Sequence, residues 1–372
     1  MASQAQSASE EDDGFNDVQE VQKLPTVREL AGFTVMGQWE LTGLLHDGPQ
    51  ESGGNFGVGY VAVDKASGLK RFVKAVDFRS RLHNPSQLAQ LLQSAQFEVA
   101  AHKACVRMSK VVRMVAHGSL LFKLPQNAGE YNFLCLVLEL GEGDIKGHVD
   151  FRPDRSPYWK LWVLREIALA AVQIERGNLA HNDIKPSNVI RFPSKGDKHD
   201  IKLGDVGRVV TKAGLGPFDN MHWAGDPRHR PIETIYGWRE PEWQNRRTAA
   251  DAFMLGNLAC FLFVGVSLTE RVVNSLPPEY RPGTYQGAYR DILDIVRHVW
   301  STVLNDQISP ALPTEIRDEL CNILRWLTEP DPALRGEPTA RRRGTVGLDK
   351  IQSHFERLAQ RAQIHERVRS QA

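Results

Sequence analysis

Polar side chains are unusually dense in residues 179–190, which read LAHNDIKPSNVI. Asp183, Lys185 and Asn188 lie close together here, and Pro186 excludes a regular helix. A carboxylate can take a proton from a hydroxyl, an ammonium can meet phosphate charge, and an amide oxygen can bind a metal ion. This set indicates phosphoryl transfer, which depends on positioning and charge stabilisation more than on covalent chemistry. Taken alone, the stretch also fits a polar turn that caps a helix.

A second acidic position, Asp205, lies in the segment IKLGDVG, after an apolar strand-like run and before Gly207. Mg²⁺ is a hard cation that takes carboxylate oxygen together with substrate phosphates. An Asp at such a junction is by itself more often an ordinary turn residue. Its place after Asn188, across the polar segment SKGDKHD, favours the metal role, because both ligands would then flank one hairpin.

The order HNDIKPSN followed by GDVG resembles the catalytic loop and the metal-binding triplet of eukaryotic-type protein kinases, H-R-D-L-x-x-x-N and D-F-G. The resemblance implies that Asp183 is the catalytic base and that Lys185 meets the γ-phosphate of ATP. It further implies that Asn188 and Asp205 hold Mg²⁺. A lysine two places after the Asp is the pattern of Ser/Thr rather than Tyr kinases.

Other parts of the kinase pattern follow the same order along the chain. Lys74, in RFVKAV, takes the place of the strand lysine that grips the α- and β-phosphates, and Glu98 would pair with it. Gly54 and Gly57, in SGGNFGVGYVA, match part of a Gly-rich loop whose backbone amides approach phosphate. A lone glycine cluster also occurs in ordinary hairpin turns.

The segment LVLELGEGD, residues 136–144, resembles the hinge that binds adenine. The resemblance assigns the carbonyl of Glu139 and the amide of Gly141 to the adenine, and Asp144 to the ribose.

Three later segments resemble structural motifs of the kinase C-lobe. GDPRHRPIE matches the segment that ends in A-P-E, and EPDPALR matches D-P-x-x-R. The resemblance therefore pairs Glu233 with Arg335 in a structural salt bridge. DAFMLG resembles the start of the central buried helix, so that Asp251 would hold the backbone of the catalytic loop.

The chain also departs from the family pattern, so that it resembles a divergent, non-RD kinase. Asn182 replaces the Arg that, in the family, binds a phosphate of the activation segment. We therefore expect activity without that phosphorylation. Asp226 stands where many Ser/Thr kinases carry Thr. We expect it to pair with Lys185, while its charge near Asp183 would raise one pKa unless neighbouring basic residues such as Arg228 offset it.

Two other functions remain open at this point. The lengthened glycine turn and Asp226 are compatible with a catalytically weak or inactive kinase-fold scaffold. A small-molecule phosphotransferase is less favoured, because such enzymes usually lack Lys185 and the segments around Glu233 and Arg335.

The elements that must position these residues change character along the chain. Short strand patterns dominate the first third, with a helical pattern in residues 85–106, and helical spacing dominates after Gly141. This order predicts an α+β protein, which the resemblance makes a bilobal protein-kinase fold with a small five-stranded sheet lobe plus one helix and a larger, mostly helical lobe. The expected regions are a disordered acidic tail at 1–35, an N-lobe at 36–140, a C-lobe at 141–340 and a basic amphipathic helix at 341–372.

The composition and charge of the chain limit the classes of partner that we expect. The chain of 372 residues has 46 Lys and Arg against 45 Asp and Glu, which gives no general argument for binding nucleic acid or membranes. Its four cysteines show no C-x-x-C pair and its N-terminus has no signal-peptide pattern, so we expect a cytoplasmic protein with reduced, buried thiols. The expected partners are ATP, Mg²⁺ and a protein substrate. The C-terminal helix is expected to pack on the large lobe, or alternatively to form a homo-oligomer.

Overall fold

The computed structural model describes residues 17–45, 57–125, 129–151, 155–194, 200–214, 216–223 and 225–371. The chain forms two compact units. The strand-rich unit comprises Met1–Ala95 and Met114–Leu140, and the helical unit comprises Gln96–Arg113 and Gly141–Ala372. The step from Leu140 to Gly141 coincides with the boundary expected from the sequence, whereas residues 96–113 belong to the helical unit.

The described part of the strand-rich unit contains one sheet. Its strands are β1 Asp17–Glu20, β2 Thr34–Val35, β3 Trp39–Leu44, β4 Gly57–Asp64, β5 Lys70–Val76, β6 Met114–Lys123 and β7 Glu130–Glu139. They lie in the order β1-β6-β7-β5-β4-β3-β2, and only the β1–β6 pair is parallel. Alternate side chains of these strands fill one core, which includes Leu41, Tyr60, Val73, Phe122 and Phe133.

The sheet corrects two expectations, because it has seven strands rather than five and because residues 17–35 are folded rather than disordered. β1 adds to the edge of β6, and Leu30 and Val35 are fully buried in the sheet core. The buried hydroxyl of Tyr60 donates to the carbonyl of Val27 and accepts from the amide of Leu30. Eight of the 19 residues in this segment are hydrophobic, and several of them pack in or against the sheet core. Residues 1–16 of the expected tail lie outside the described residues.

The helical unit is built mainly from α-helices. Together with α1, which begins in the strand-rich unit, their bounds are α1 Pro85–Ala104, α2 Ile145–Phe151, α3 Pro157–Arg176, α4 Ile232–Ile235, α5 Ala249–Val264, α6 Leu268–Ser275, α7 Leu293–Thr302, α8 Arg317–Thr328, α9 Pro338–Arg341 and α10 Leu348–Gln371. A sheet-based unit and a larger helical unit agree with the expected α+β, bilobal protein-kinase fold.

Helix α5 is the centre of the helical unit. It is apolar on all sides, and 13 of its 16 residues are buried, as expected for this hydrophobic stretch. The longer segment Gln244–Val264 is long and apolar enough to cross a membrane, but 83% of its most apolar window is buried inside the protein. Its length and composition are therefore explained by a core position.

Helix α10 packs along α3 with the apolar face predicted from its 3–4 spacing. The buried residues of this face are Leu348, Ile351, Phe355, Leu358, Ala359 and Ala362. The first of the two expectations for the C-terminal helix, packing on the larger unit, is therefore met. Self-association through its outer face stays a prediction.

Two small sheets hold the segments that carry the candidate site. β10 Val189–Phe192 and β11 Asp200–Leu203 form an antiparallel hairpin, to which β8 Gly143–Asp144 adds as a third strand. β9 Leu179–Ala180 pairs with β12 Val210–Thr211.

Candidate active site

Residues 181–188, which we call the catalytic loop after their predicted role, connect β9 to β10. Asp251 at the start of α5 binds the backbone of this loop. The two carboxylate oxygens of Asp251 accept the amides of His181 and Asn182 at 2.7 and 2.8 Å. Asn182 has a φ of 64°, a left-handed conformation that Asn tolerates better than most residues. The expectation that Asp251 holds the loop backbone is confirmed. Burial raises the pKa of Asp251 to about 7, although these two hydrogen bonds lower it.

Asp183 is the best-held polar side chain of this loop. Its Oδ2 lies 3.0 Å from both Lys185 Nζ and Asn188 Nδ2, and its Oδ1 accepts the amide of Asp226 at 2.8 Å. Burial raises the pKa of Asp183, the positive charge of Lys185 opposes this, and the negative charge of Asp205 adds to it. A fixed carboxylate with a raised pKa suits a general base, because such groups work best when their pKa approaches the working pH.

His181 joins the catalytic loop to the metal triplet. Its Nδ1 accepts the amide of Asp183 at 3.3 Å, and its Nε2 lies 3.0 Å from the carbonyl of Gly204. Burial lowers the pKa of His181 to about 4, so the ring is neutral and Nε2–H is the donor to that carbonyl. A neutral imidazole therefore connects Asp183 to the residue before Asp205.

Asn188 and Asp205 flank one hairpin, as the sequence predicted. Val189 pairs with Leu203, and the amide of Gly204 donates to the carbonyl of Asn188 at 2.7 Å. The amide nitrogen of Asn188 is turned to Asp183, so the side-chain oxygen is the atom that would bind a cation. One amide oxygen and one carboxylate fit Mg²⁺, which is commonly bound by few protein ligands plus substrate phosphates.

No group of three His, Cys, Asp or Glu side chains that could hold a metal occurs in the described part of the chain. The metal role of Asn188 and Asp205 stays a prediction.

Asp226 has the two basic neighbours that the sequence analysis named. Its Oδ2 lies 3.7 Å from Lys185 Nζ, as expected, and 3.1 Å from Arg228 Nη2. Burial would raise the pKa of Asp226, but the hydrogen bonds from Arg228 and the charge of Lys185 outweigh it and lower the pKa to about 2. Asp226 is therefore a stable carboxylate, and Asp205 is the negative charge that helps to raise the pKa of Asp183.

Gly225 allows the close contact between this segment and the catalytic loop. A Cβ at Gly225 would lie 2.2 Å from the carbonyl oxygen of Asn182 and 3.1 Å from Oδ1 of Asp183. The amide of Asp226 reaches Asp183 because the preceding residue has no side chain. Sequence analysis did not single out this glycine.

Arg247 was also missed, because it lies outside every kinase motif considered. Its guanidinium is buried and donates to Asn182 Oδ1 at 3.2 Å and to the carbonyls of Asp219 and Met221 at 3.1 and 3.0 Å. The surrounding sequence, QNRRT, is polar and contains a second arginine, so it gave no signal that separates Arg247 from its neighbours.

The predicted nucleotide residues of the strand-rich unit are partly described. Lys74 lies on β5 beside β4, and a Cβ at Gly57 would be 3.1 Å from both Cγ and Cε of Lys74. Gly57 therefore lies directly against this lysine. Gly59, where kinases usually carry Val, leaves space for the ring of Phe72, which a Cβ would approach to 2.6 Å. Gly54 lies outside the described residues.

Glu98 belongs to the helical unit, where it is buried beside the metal triplet. A Cβ at Gly207 would lie 3.1 Å from Cδ of Glu98 and 3.3 Å from Oδ1 of Asp205. The carboxylate of Glu98 is therefore close to the turn that carries Asp205. Its pairing with Lys74 stays a prediction.

The hinge residues have defined local roles. Glu139 ends β7, and Gly141 packs so closely on β10 that a Cβ would lie 2.3 Å from Cγ2 of Ile190. Asp144 accepts the amide of Gly147 at 2.8 Å and so stabilises the first turn of α2. Their contacts with adenine and ribose stay predictions.

The predicted ion pair between Glu233 and Arg335 is confirmed. Arg335 Nη1 and Nη2 lie 2.9 and 2.8 Å from the two carboxylate oxygens of Glu233, and both side chains are buried. This bidentate pair connects α4 to the loop after α8, as it does in the family pattern.

Comparisons with known proteins point the same way as these motifs. The serine/threonine-protein kinase F of Synechocystis sp. is 29% identical over 166 residues, which cover 44% of this chain and 33% of that protein. Mitogen-activated protein kinase 13 of Oryza sativa subsp. indica is 25% identical over 37% of this chain and 25% of its own length. Calcium-dependent protein kinase 7 of Arabidopsis thaliana is 22% identical over 84% of this chain and 49% of its own length. No protein-family model matches the chain.

These relatives support a protein kinase. The chain spans less than half the length of each of these curated relatives. The similarity therefore supports the protein-kinase family and phosphoryl transfer in general, while the activity, substrates and partners of this protein are matters of proposal.

Proposed function

We propose that this protein is an ATP- and Mg²⁺-dependent kinase that transfers phosphate to Ser or Thr hydroxyls of a protein substrate. The observation that carries the proposal is the arrangement in which Asp183, Asn188 and Asp205 are held by one loop and one hairpin. Phosphoryl transfer needs a base for the hydroxyl, a cation beside it and metal ligands, and these three residues together with Lys185 would supply them.

The roles of the residues follow from their contacts. The Oδ atoms of Asp183 are fixed by Asn188, Lys185 and the amide of Asp226, so the carboxylate is oriented before substrate binds. The ammonium of Lys185 would leave Asp183 for the transferred phosphate, which carries more negative charge. Mg²⁺ held by Asn188 and Asp205 would neutralise the phosphate oxygens.

We further propose that the kinase needs no phosphorylation of residues 206–232. Thr211 is the single Ser, Thr or Tyr in this part of the sequence, and its hydroxyl already donates to Asp219 at 2.7 Å. The residue before the proposed catalytic Asp183 is Asn182, which has no positive charge with which to bind a phosphate.

One observation favours the alternative of a weak or inactive scaffold. Lys185 lies near two carboxylates, those of Asp183 and Asp226, whose negative charges compete with a phosphate for its ammonium. Because the pKa of Asp226 is lowered to about 2, its charge persists at neutral pH.

Purified protein with labelled ATP and Mg²⁺ tests these alternatives, beside Asp183→Asn and Asp205→Asn. The kinase proposal expects transfer to a protein, itself included, that falls by at least about a hundredfold in both variants. Arg246→Lys is the matched control, because its guanidinium donates to the carbonyls of Glu240 and Pro241, outside the candidate site. ATP binding without transfer would favour the scaffold, and transfer only to metabolites would favour a small-molecule phosphotransferase.

A further inference from the structure

Arg247 is a buried cation whose hydrogen bonds go to neutral acceptors. It is 1% exposed, and its guanidinium contacts the side chain of Asn182 and the backbone of Asp219 and Met221. Burial lowers its pKa to about 10, and the nearby arginines Arg246 and Arg239 add to the effect. Burying a charge is costly unless hydrogen bonds and opposite charges offset the loss, and here the three contacts and the charges of Asp219 and Asp251 do so in part.

The contacts of Arg247 join two segments that are far apart in sequence. Asn182 immediately precedes the candidate base, Asp183. Asp219 and Met221 lie in the segment after the metal triplet, which we call the activation segment, residues 206–232. A single guanidinium on the helical turn before α5 therefore holds both the catalytic loop and this segment.

The side chain of Asp219 extends the same network. Its carboxylate accepts the amide and hydroxyl of Thr211 at 2.6 and 2.7 Å and the amide of Gly216 at 2.5 Å. Thr211 belongs to β12, which pairs with β9 just before the catalytic loop. Hydrogen bonds therefore connect the start of the activation segment to Asp219. Arg247 connects the backbone of Asp219 to the side chain of Asn182.

We propose that Arg247 is a positioning residue that keeps the catalytic loop and the activation segment in one arrangement. The inference rests on the proposed kinase function, and it names the group that replaces the phosphate contact made in related kinases by the Arg before the catalytic Asp. Here the cation comes from the turn before α5, and its partners are backbone carbonyls and Asn182. The arrangement is therefore built into the folded chain.

Phosphorylation of Thr211 would act against this arrangement. Its hydroxyl donates to the carboxylate of Asp219, and a phosphate would bring two negative groups together at that place. The network thus predicts that a negative charge at Thr211 loosens the activation segment.

The test compares Arg247→Met and Arg247→Lys with the control Arg246→Met. Hydrogen exchange is measured peptide by peptide, and kcat and the KM for ATP are measured on protein shown by mass spectrometry to be unphosphorylated. In Arg247→Met, amide exchange in residues 210–223 should rise about tenfold or more while α3 and α8 keep their protection. Its kcat should fall at least about tenfold with little change in KM, because the reacting groups are misplaced rather than unbound. Arg247→Lys should recover part of both, and Arg246→Met should match the unaltered protein.

Exchange in residues 210–223 that is equal in Arg247→Met and Arg246→Met would overturn the proposal. Should Arg247→Met show no cooperative thermal transition, Arg247→Lys decides the same question, since it keeps the charge and loses the planar fork. The exchange measurement needs no turnover. Absence of any phosphoryl transfer by the unaltered protein would therefore refute the kinase function, while exchange would still decide whether Arg247 holds the segment.

Discussion

The ion pair between Glu233 and Arg335 allows a quantitative prediction of stability. Arg335 is 0% exposed and Glu233 is 4% exposed, so both charges are shielded from water. Arg335 also donates to the carbonyls of Glu329 and Ala249 at 2.8 and 3.2 Å. Replacement of the arginine by methionine keeps an apolar stem of similar length and removes the charge and all these donors.

The expected loss follows from the carboxylate that remains. Arg335→Met would leave Glu233 buried without its cation, which costs about 3–5 kcal/mol of the free energy of unfolding. The double variant Glu233→Gln with Arg335→Met removes both charges and should lose only about 1–3 kcal/mol, because only the hydrogen bonds to backbone carbonyls remain broken. The two substitutions are therefore expected to be non-additive by at least about 2 kcal/mol.

Urea unfolding followed by circular dichroism measures these differences. The control is Arg297→Met, whose partner Glu329 lies 2.7 Å away but whose side chain is 30% exposed, so that its loss should be below about 1 kcal/mol. The reasoning from burial would be refuted by an Arg335→Met midpoint equal to that of Arg297→Met. It would also be refuted by additive losses in the double variant.

Two further predictions concern the candidate site. Burial lowers the pKa of His181 to about 4, below its usual 6.5, so the unfolded chain binds a proton in this range that the folded chain does not. The free energy of unfolding should therefore fall by about 2 kcal/mol for this group between pH 7 and pH 5; urea unfolding of His181→Gln should show a smaller fall, and an equal fall would contradict the assignment. Gly225→Ala should lower kcat about a hundredfold and the unfolding free energy by about 1–3 kcal/mol, because its Cβ would lie 2.2 Å from the carbonyl of Asn182. Gly43→Ala is its control, since nothing lies within 4 Å of that Cβ, and equal activity of both variants would exclude the steric argument.

Parts of the fold and site could be predicted because their information is local. The apolar face of α10 and the continuous apolar stretch of α5 follow from residues that each helix buries. The proximity of Asn188 and Asp205 could be predicted because a single hairpin joins them. The pairing of Glu233 with Arg335, which are 102 residues apart, came from the resemblance to kinase motifs rather than from periodicity.

Other features required the tertiary structure, because composition does not reveal a partner. Residues 17–35 follow an acidic, polar stretch of the sequence, yet β1 pairs with β6 and Leu30 enters the core. The strength with which Asp226 is held as a carboxylate also required the structure. Its pKa depends on hydrogen bonds from Arg228 and on the distance to Lys185, and neither can be measured along the chain.

The sequence by itself determined the chemical types at the candidate site, a carboxylate, an ammonium, an amide and a second carboxylate, because phosphoryl transfer restricts those types and their order. Tertiary structure decided what holds them. Arg247 and Asn182 are 65 residues apart, and their contact depends on how the turn before α5 packs beneath the catalytic loop. Packing of that kind is set by the whole core of the helical unit, so no local pattern in the sequence could specify it.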